Sequence, residues 1–476
     1  MRILLINPSL VQAEIGHYSK ETEKNRGVYP PLGLCYIASV LEKNGHGVKI
    51  VDCDAEKDYW NIIESTTKEF QPDVVGFYIM TWTFVAANDL AKKIKEIKSN
   101  IKLIVGGPGV TCMPRESLEY GVFDLAVISE GEVTVVELVK ALEKGKGNFS
   151  DILGLAYKEK GEVKINNPRP LIENLDSIPF PARHLLPSKD RYFDVFTIEK
   201  HFATVIATRG CPFNCSFCDR KNRMGKNWRV RSPQNLIDEV EKIYKEEDIR
   251  EFMFFDDNFI VRKQWVSEVC DEILKRRLKI VWECRSRVDT INEEVLSKMK
   301  KAGCYRIRFG FEAGDNRILK VLNKGITKEQ SIKCAKICKK IGMEMVGYFM
   351  MGSPEETKET IQKTLDLALE IDPAFAVFSK TIIIPGTELF LWAIANNQID
   401  SKYWDRFMKG KEKDGAPSLD TKELPEKEVT EFVKMANKKF YIRSSYMIRR
   451  LFSIRSFTQL WRQLNMGKAL ILNKFS

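Results

Sequence analysis

Residues 208–220 read "TRGCPFNCSFCDR", and the reading of this stretch decides the fold around it. Three thiols, Cys211, Cys215 and Cys218, fall within eight residues, directly after the apolar run "FATVIATRG". Arg209-Gly210 and Pro212 mark an exposed loop leaving a strand. Thiols spaced by four and three residues on a short loop can converge on one metal cluster. Iron–sulfur clusters usually take four cysteines, so three leave one iron open to bind something else. A structural zinc site would need a fourth ligand, for which His184 and His201 are the nearby histidines. Unrelated core thiols are the third alternative.

Outward from the loop, a strand-like run recurs six times: "FATVIATRG", "EFMFFDDNF", "KIVWECRSR", "YRIRFGFEAG", "MEMVGYFMMG" and "AFAVFSKTIIIPG". Each precedes a stretch of helical period such as "SPQNLIDEVEKIYKE", and the series predicts a partial (β/α) barrel over residues 198–390. Chemistry in such barrels sits at the carboxyl ends of the strands, where "RGCPFNC", "FDDNF", "ECRSR", "FEAG" and "MMGSPEET" fall. Residues 1–145 alternate short apolar runs ("RILLIN", "VKIVD", "DVVGFYIM", "KLIVGG") with amphipathic segments, which predicts a separate doubly wound α/β domain. Its ligand crevice belongs at "NPS", "MTWT", "GGPG" and "SEGE". Residues 146–197 read as a linker with a hairpin turning at Lys160-Gly161. Residues 391–476 read as a helical C-terminal region.

With 476 residues, 44% hydrophobic and 30% charged, the chain is globular and too long for one core. The start, "MRILLINPSL", has too short an apolar run for a secretory signal, and no stretch of about eighteen apolar residues spans a bilayer. A cytoplasmic location is expected, and its 11 cysteines are expected to stay reduced. Cys334 and Cys338, one turn apart beside Ile332 and Ile337, read as core packing. The net charge of +11 is uneven: from Lys438 onward there are nine Lys or Arg and no acid. This tail suits an amphipathic helix lying peripherally on an anionic membrane, or one packed on the barrel with its arginines in water.

The pattern "CPFNCSFC", CxxxCxxC with Phe217 before the last cysteine, resembles the radical S-adenosylmethionine superfamily. The resemblance implies that Cys211, Cys215 and Cys218 hold a [4Fe–4S] cluster whose open iron is chelated by S-adenosyl-L-methionine, and that Phe217 lies beside the cofactor. It also implies contacts with the cofactor from Asp256, Asp257, Arg285, Arg287 and Glu312, and backbone approaches at Gly347 and Gly352. In the first domain, "YPPLGLCYIASVLEKNGHGVKIVDCD", "MTWT", "GGPG" and "SEGE" resemble the cobalamin-binding domain that precedes many such barrels. That likeness implies cobalamin contacts from Leu32, Gly33, Thr81, Gly106, Gly107, Pro108, Glu130 and Gly131. The DxHxxG motif that carries a cobalt-ligating histidine is absent. His17 lies in the corresponding loop without the flanking Asp and Gly, and reads as an ordinary loop residue.

Together the two halves resemble the subgroup with class B methyltransferases and the anaerobic magnesium-protoporphyrin ester cyclase. What this implies is methylation of an unactivated carbon, with oxidative cyclisation or ring rearrangement as the alternative. A methylthiotransferase acting on RNA would carry three further clustered cysteines and a β-barrel at the C-terminus. Here Cys35, Cys53 and Cys112 are dispersed, so nucleic acid is not an expected partner, and a non-catalytic sensor would not need an open iron. The expected partners are a small or lipid-like substrate and an electron donor such as ferredoxin or flavodoxin.

Overall fold

Apolar runs buried on both faces set the architecture. A computed structural model of the chain describes residues 1–10, 27–145, 148–220, 224–412 and 417–452, with the single residues 454, 460 and 462. Among the described residues, β1 (Arg2–Asn7), β2 (Gly47–Asp52), β3 (Val74–Tyr78), β4 (Lys102–Gly106) and β5 (Leu125–Val127) are parallel neighbours in the order β2-β1-β3-β4-β5. In β1, Ile3 and Leu5 pack with Leu34, Leu41 and Leu138, while Leu4 and Ile6 pack with Leu90 and Ile94. Helices cover both sides, which is why the strands read as unbroken apolar runs. The order reverses between β1 and β3, and that reversal opens a crevice at the carboxyl ends of the strands.

The hairpin turns where the sequence predicts. β6 (Leu155–Glu159) and β7 (Glu162–Ile165) are joined by Lys160 (φ 51°) and Gly161 (φ 86°), two left-handed residues of the kind that match strand twist. It does not stand apart in the connection: β6 pairs antiparallel with β5, extending the first sheet to seven strands. Leu155, Ala156 and Tyr157 are buried by this pairing.

The second large sheet holds β8 (Phe202–Val205), β11 (Glu251–Phe254), β12 (Val281–Ser286), β13 (Cys304–Glu312), β14 (Glu344–Met351) and β15 (Phe375–Lys380). All are parallel, in the order β15-β14-β13-β12-β11-β8, so β8 and β15 are edges and the barrel is partial. Between β8 and β11, β9 (Thr208–Arg209) and β10 (Arg229–Val230) form a short antiparallel ladder. Phe252, Trp282, Ile307 and Phe349 face the helical layer. Inside the barrel, the buried Arg308 lies 2.9 Å from Asp194 and 2.5 Å from Glu283, and Arg306 lies 2.8 Å from Glu344. Asp194, carried by the connection between the sheets, thereby helps to seal the barrel floor.

The last described helices of the C-terminal region pack on β15, while Trp404, Phe407 and Met408 pack into the first domain. Tyr441, which ends the helix Glu426–Tyr441, holds Ala376 through its hydroxyl, 3.1 Å from the amide and 2.8 Å from the carbonyl. In the next helix, Ser444–Phe452, the side chains sit the opposite way round from an arginine-outward helix. Arg443 and Arg449 both hydrogen-bond Asp372, and Arg450 is buried with its guanidinium 4.4 Å above the Phe375 ring. Met447, Ile448, Leu451 and Phe452 point outward and are 52%, 59%, 64% and 85% exposed. Most of the remaining tail lies outside the described residues. Among those described, no helix is long and apolar enough to cross a membrane.

Candidate functional site

The cysteine loop departs at Arg209 and returns at Arg229, residues that face each other across the β9/β10 ladder. Gly210 (φ 86°) makes the departure, and a Cβ there would come within 2.2 Å of the Asn227 carbonyl oxygen, so a side chain is excluded. Farther along, Ser216 donates its amide to the Leu322 carbonyl at 3.0 Å, and its own carbonyl accepts from the Leu389 amide at 2.8 Å. Cys211, Cys215 and Cys218 are free thiols and partly exposed.

Two cations stand against Cys215. Burial raises its thiol pKa, and Lys324 and Arg287 pull it back toward the thiolate that a metal requires. Arg287 places Nη1 3.6 Å from the Cys215 sulfur and its guanidinium 3.7 Å over the Phe213 ring. Asp289, at 2.9 and 3.0 Å, and the Lys324 carbonyl, at 2.5 Å, fix its direction. Lys324 Nζ lies 2.8 Å from Glu312 and 5.9 Å from the centre of the Phe217 ring. Glu312 has φ 61°, a left-handed backbone that bends its carboxylate over Gly310 toward Lys324. Phe217, Arg287 and Glu312, expected near the cofactor from sequence, are thus brought together with Cys215. Lys324 was missed: in "LNKGIT" nothing local distinguishes it from a surface lysine. No three His, Cys, Asp or Glu side chains converge on a single ion position among the described residues. Three thiols on one loop, with two cations beside Cys215, supply three of the four iron ligands of a cubane and leave one iron open. The donor set fits the cluster.

The other strand-end residues divide. Asp256 is buried, and its Oδ1 accepts from the amides of Ala207 at 2.9 Å and Thr208 at 2.5 Å. It holds the backbone that leads into the cysteine loop. Asp257 pairs with Arg220 and lines the cavity described below. Arg285 lies 4.1 Å above the Phe255 ring. Gly347 is mid-strand, where a Cβ would meet the Phe349 and Phe311 rings at 2.8 and 3.1 Å, so its missing side chain serves aromatic packing on the helical side. Gly352 (φ 83°) ends β14, with the site of a Cβ 3.1 Å from Val429.

One cavity joins the two sheets. Its volume is about 240 Å³, and it opens to solvent. Gly33, Gly106, Gly107, Pro108, Glu130 and Gly131 line it from the first domain, and Thr208, Arg209, Phe255 and Asp257 from the second. Its inner part descends along the first sheet between Ile3, Leu5, Ile104, Val127, Val135 and Val139, an apolar slot beneath two helices. At Gly106 an added Cβ would meet nothing nearer than 3.6 Å, which leaves the backbone open to a large ligand. Gly107 (φ 106°) and Gly109 are needed for another reason. Cβ atoms there would come within 2.8 Å of the Ile79 carbonyl and 2.7 Å of the Thr81 amide. Leu32 and Thr81 are buried and do not line the cavity. Glu130 lines it, but both of its oxygens accept from Arg209 or Arg229. No histidine is among the lining residues, and His17 lies outside the described residues. A wide mouth, a backbone bare of side chains and a deep apolar slot fit a corrinoid.

Comparison with known proteins agrees with this geometry. Residues 205–368 match the radical SAM superfamily and residues 22–139 the B12 binding domain. The chain is 37% identical over 458 residues to the uncharacterized methyltransferase PH0819 of Pyrococcus horikoshii, covering 96% of each protein. It is 29% identical over 397 residues to the anaerobic magnesium-protoporphyrin IX monomethyl ester cyclase of Rubrivivax gelatinosus, covering 82% of this chain and 69% of that one. The fold matches that of the cobalamin-dependent S-adenosylmethionine radical enzyme OxsB with a TM-score of 0.73 at 19% identity, over 100% of this chain and 72% of that one. A B12 domain whose strand ends share a cavity with a half-barrel bearing three cysteines defines a cobalamin-dependent radical enzyme. The chain belongs to the radical SAM family with an N-terminal B12-binding domain. Its cofactors are a [4Fe–4S] cluster, S-adenosyl-L-methionine and cobalamin, and like other radical SAM enzymes it draws on a reductant.

Proposed function

We propose that the protein is a radical methyltransferase acting on an unactivated carbon. The observation that carries this reading is the cavity between the two domains, lined from the first by Gly33, Gly106 and Gly131 and from the second by Thr208, Arg209 and Asp257 beside the neck of the cysteine loop, because a methyl carrier and a radical source must open onto the same substrate carbon. When bound, the cluster and S-adenosylmethionine supply a 5′-deoxyadenosyl radical, and cobalamin supplies a methyl group. In this reading residues 1–145 hold the corrinoid, residues 198–390 hold the cluster and S-adenosylmethionine, residues 146–197 join them, and residues 391–476 form a C-terminal region whose described helices pack against both domains. Cys211, Cys215 and Cys218 are the cluster ligands, with Arg287 and Lys324 offsetting the thiolate charge at Cys215. Glu312 receives the methionyl amine and Arg285 the carboxylate, a pairing of charge with charge. Asp257, facing the cavity, suits the ribose diol. Gly106 leaves room for the corrin, and Gly33 and Gly131 line the same cavity.

Supplied with the substrate, methyl-labelled S-adenosylmethionine and a strong reductant, the enzyme should release 5′-deoxyadenosine and S-adenosylhomocysteine in equal amounts with each labelled product. An unlabelled, dehydrogenated or cyclised product formed with 5′-deoxyadenosine overturns methyl transfer and establishes the second reading, an oxidative cyclase. That reading is favoured by the likeness to the Rubrivivax enzyme. The outward apolar face of the helix Ser444–Phe452 supports peripheral contact with a membrane, a lipid-like substrate and work at the inner membrane face. Ferredoxin or flavodoxin is the proposed electron donor.

A further inference from the structure

We propose that Arg209 is a positioning residue, gripped by the cobalamin domain so that the cysteine loop is held at a fixed distance and angle from the corrinoid cavity; this rests on the reading of the two cofactor sites above. The loop has a neck and a tip. At the neck Arg209 and Arg229 are opposite partners of the β9/β10 ladder, and Cys211 follows two residues after Arg209. Both guanidinium groups reach across to the turn that follows β5 in the first domain. Arg209 sends Nη1 to Glu130 at 3.0 Å and Nη2 to Glu132 at 2.5 Å. Arg229 donates Nη1 to both oxygens of Glu130, at 3.0 and 2.8 Å, and to the Ile172 carbonyl at 2.7 Å. Tyr36 lies 5.4 Å beneath the Arg209 guanidinium.

All four charged side chains are at least 91% buried, so this is a closed group and not a rim of surface ion pairs. Burial alone would raise the Glu130 carboxyl pKa, yet hydrogen bonds and charge from Arg229 and Arg209 hold it below its ordinary value. Apolar packing could join two domains at least as strongly, without fixing their rotation. Hydrogen bonds from two rigid forks into two carboxylates do fix it, and a lysine cannot reproduce that fork. The tip of the loop is tied to the barrel at Leu322 and Leu389. The cysteines therefore hang between an anchor in each domain. Glu130, Glu132 and Arg209 also line the shared cavity, so the clamp stands between the two cofactor sites.

The test uses holoenzyme with reconstituted cluster and bound cobalamin, reduced so that cob(II)alamin and the cluster are both paramagnetic. Their dipolar coupling reports the separation of the two centres without any substrate. Wild type should give one narrow separation. Arg209→Lys and Glu132→Gln should at least double its spread while iron content and cobalamin stoichiometry stay at wild-type values. Gly161→Ala, which strains the distant hairpin turn, should leave the spread unchanged, separating positioning from general destabilisation. Where Arg209→Lys does not fold, Glu132→Gln carries the measurement, since Glu130 still pairs with both arginines. Wild-type spread in every one of these two variants that folds overturns the clamp alone. A wild-type protein that takes up iron but no cobalamin overturns the cofactor reading and the clamp with it.

Discussion

At the scale of single residues, Asp256 shows how a strand-end carboxylate serves a site through backbone. Burial pushes its carboxyl up to about 6 from an ordinary 3.8, against the opposing bonds from Thr208 and Ala207. The folded protein therefore keeps this proton between about pH 4 and 6 while the unfolded chain releases it, and stability falls as pH rises through that window. In Asp256→Asn the side-chain oxygen still accepts from Ala207 and Thr208, but the titration is gone. The thermal midpoint of the variant should fall less between pH 4 and 7 than that of wild type, by the equivalent of roughly 3 kcal/mol at 1.36 kcal/mol per unit. Parallel pH profiles would show that Asp256 is ionised in the fold. The sequence made Asp256 visible because it ends an apolar run, and Cys211, Cys215 and Cys218 visible because their spacing is itself the signal. Lys324 and the partners of Glu130 were not legible, since each gains its role from a side chain far along the chain.

Among elements, strands were the most readable, because a parallel strand covered on both faces must be apolar throughout. The Lys160-Gly161 turn was equally readable from its residue types, although not the edge strand that its hairpin would join. The tail helix was legible as an element but not in orientation. Composition counts arginines without saying which way they face, and here Asp372 and the start of β15 draw them inward. The membrane contact proposed for this helix would thus rest on its apolar side more than on its charges. Replacing Met447, Ile448, Leu451 and Phe452 by serine should weaken co-sedimentation with anionic vesicles at least tenfold, in line with the transfer of several apolar side chains. Equal pelleting of wild type and variant, or none of either, would assign these residues to another contact.

For the molecule as a whole, the two domains were separable in the sequence, whereas the space between them was not, since no motif spells a cavity that two distant segments enclose. That space sets an expectation for the cobalt. With no histidine among the described lining residues, no protein nitrogen is expected on the cobalt, so the electron paramagnetic resonance spectrum of bound cob(II)alamin should be the same in wild type and His17→Ala. Splitting that disappears in His17→Ala would give the cobalt a protein ligand instead. The cavity wall has a further consequence for the life of the protein in the cell. A ligand that fills a gap between two domains binds only their closed arrangement and stabilises it by mass action. Vitamin supply would then govern how much of this enzyme survives as well as how much of it works, so that scarcity of the corrinoid becomes scarcity of the polypeptide.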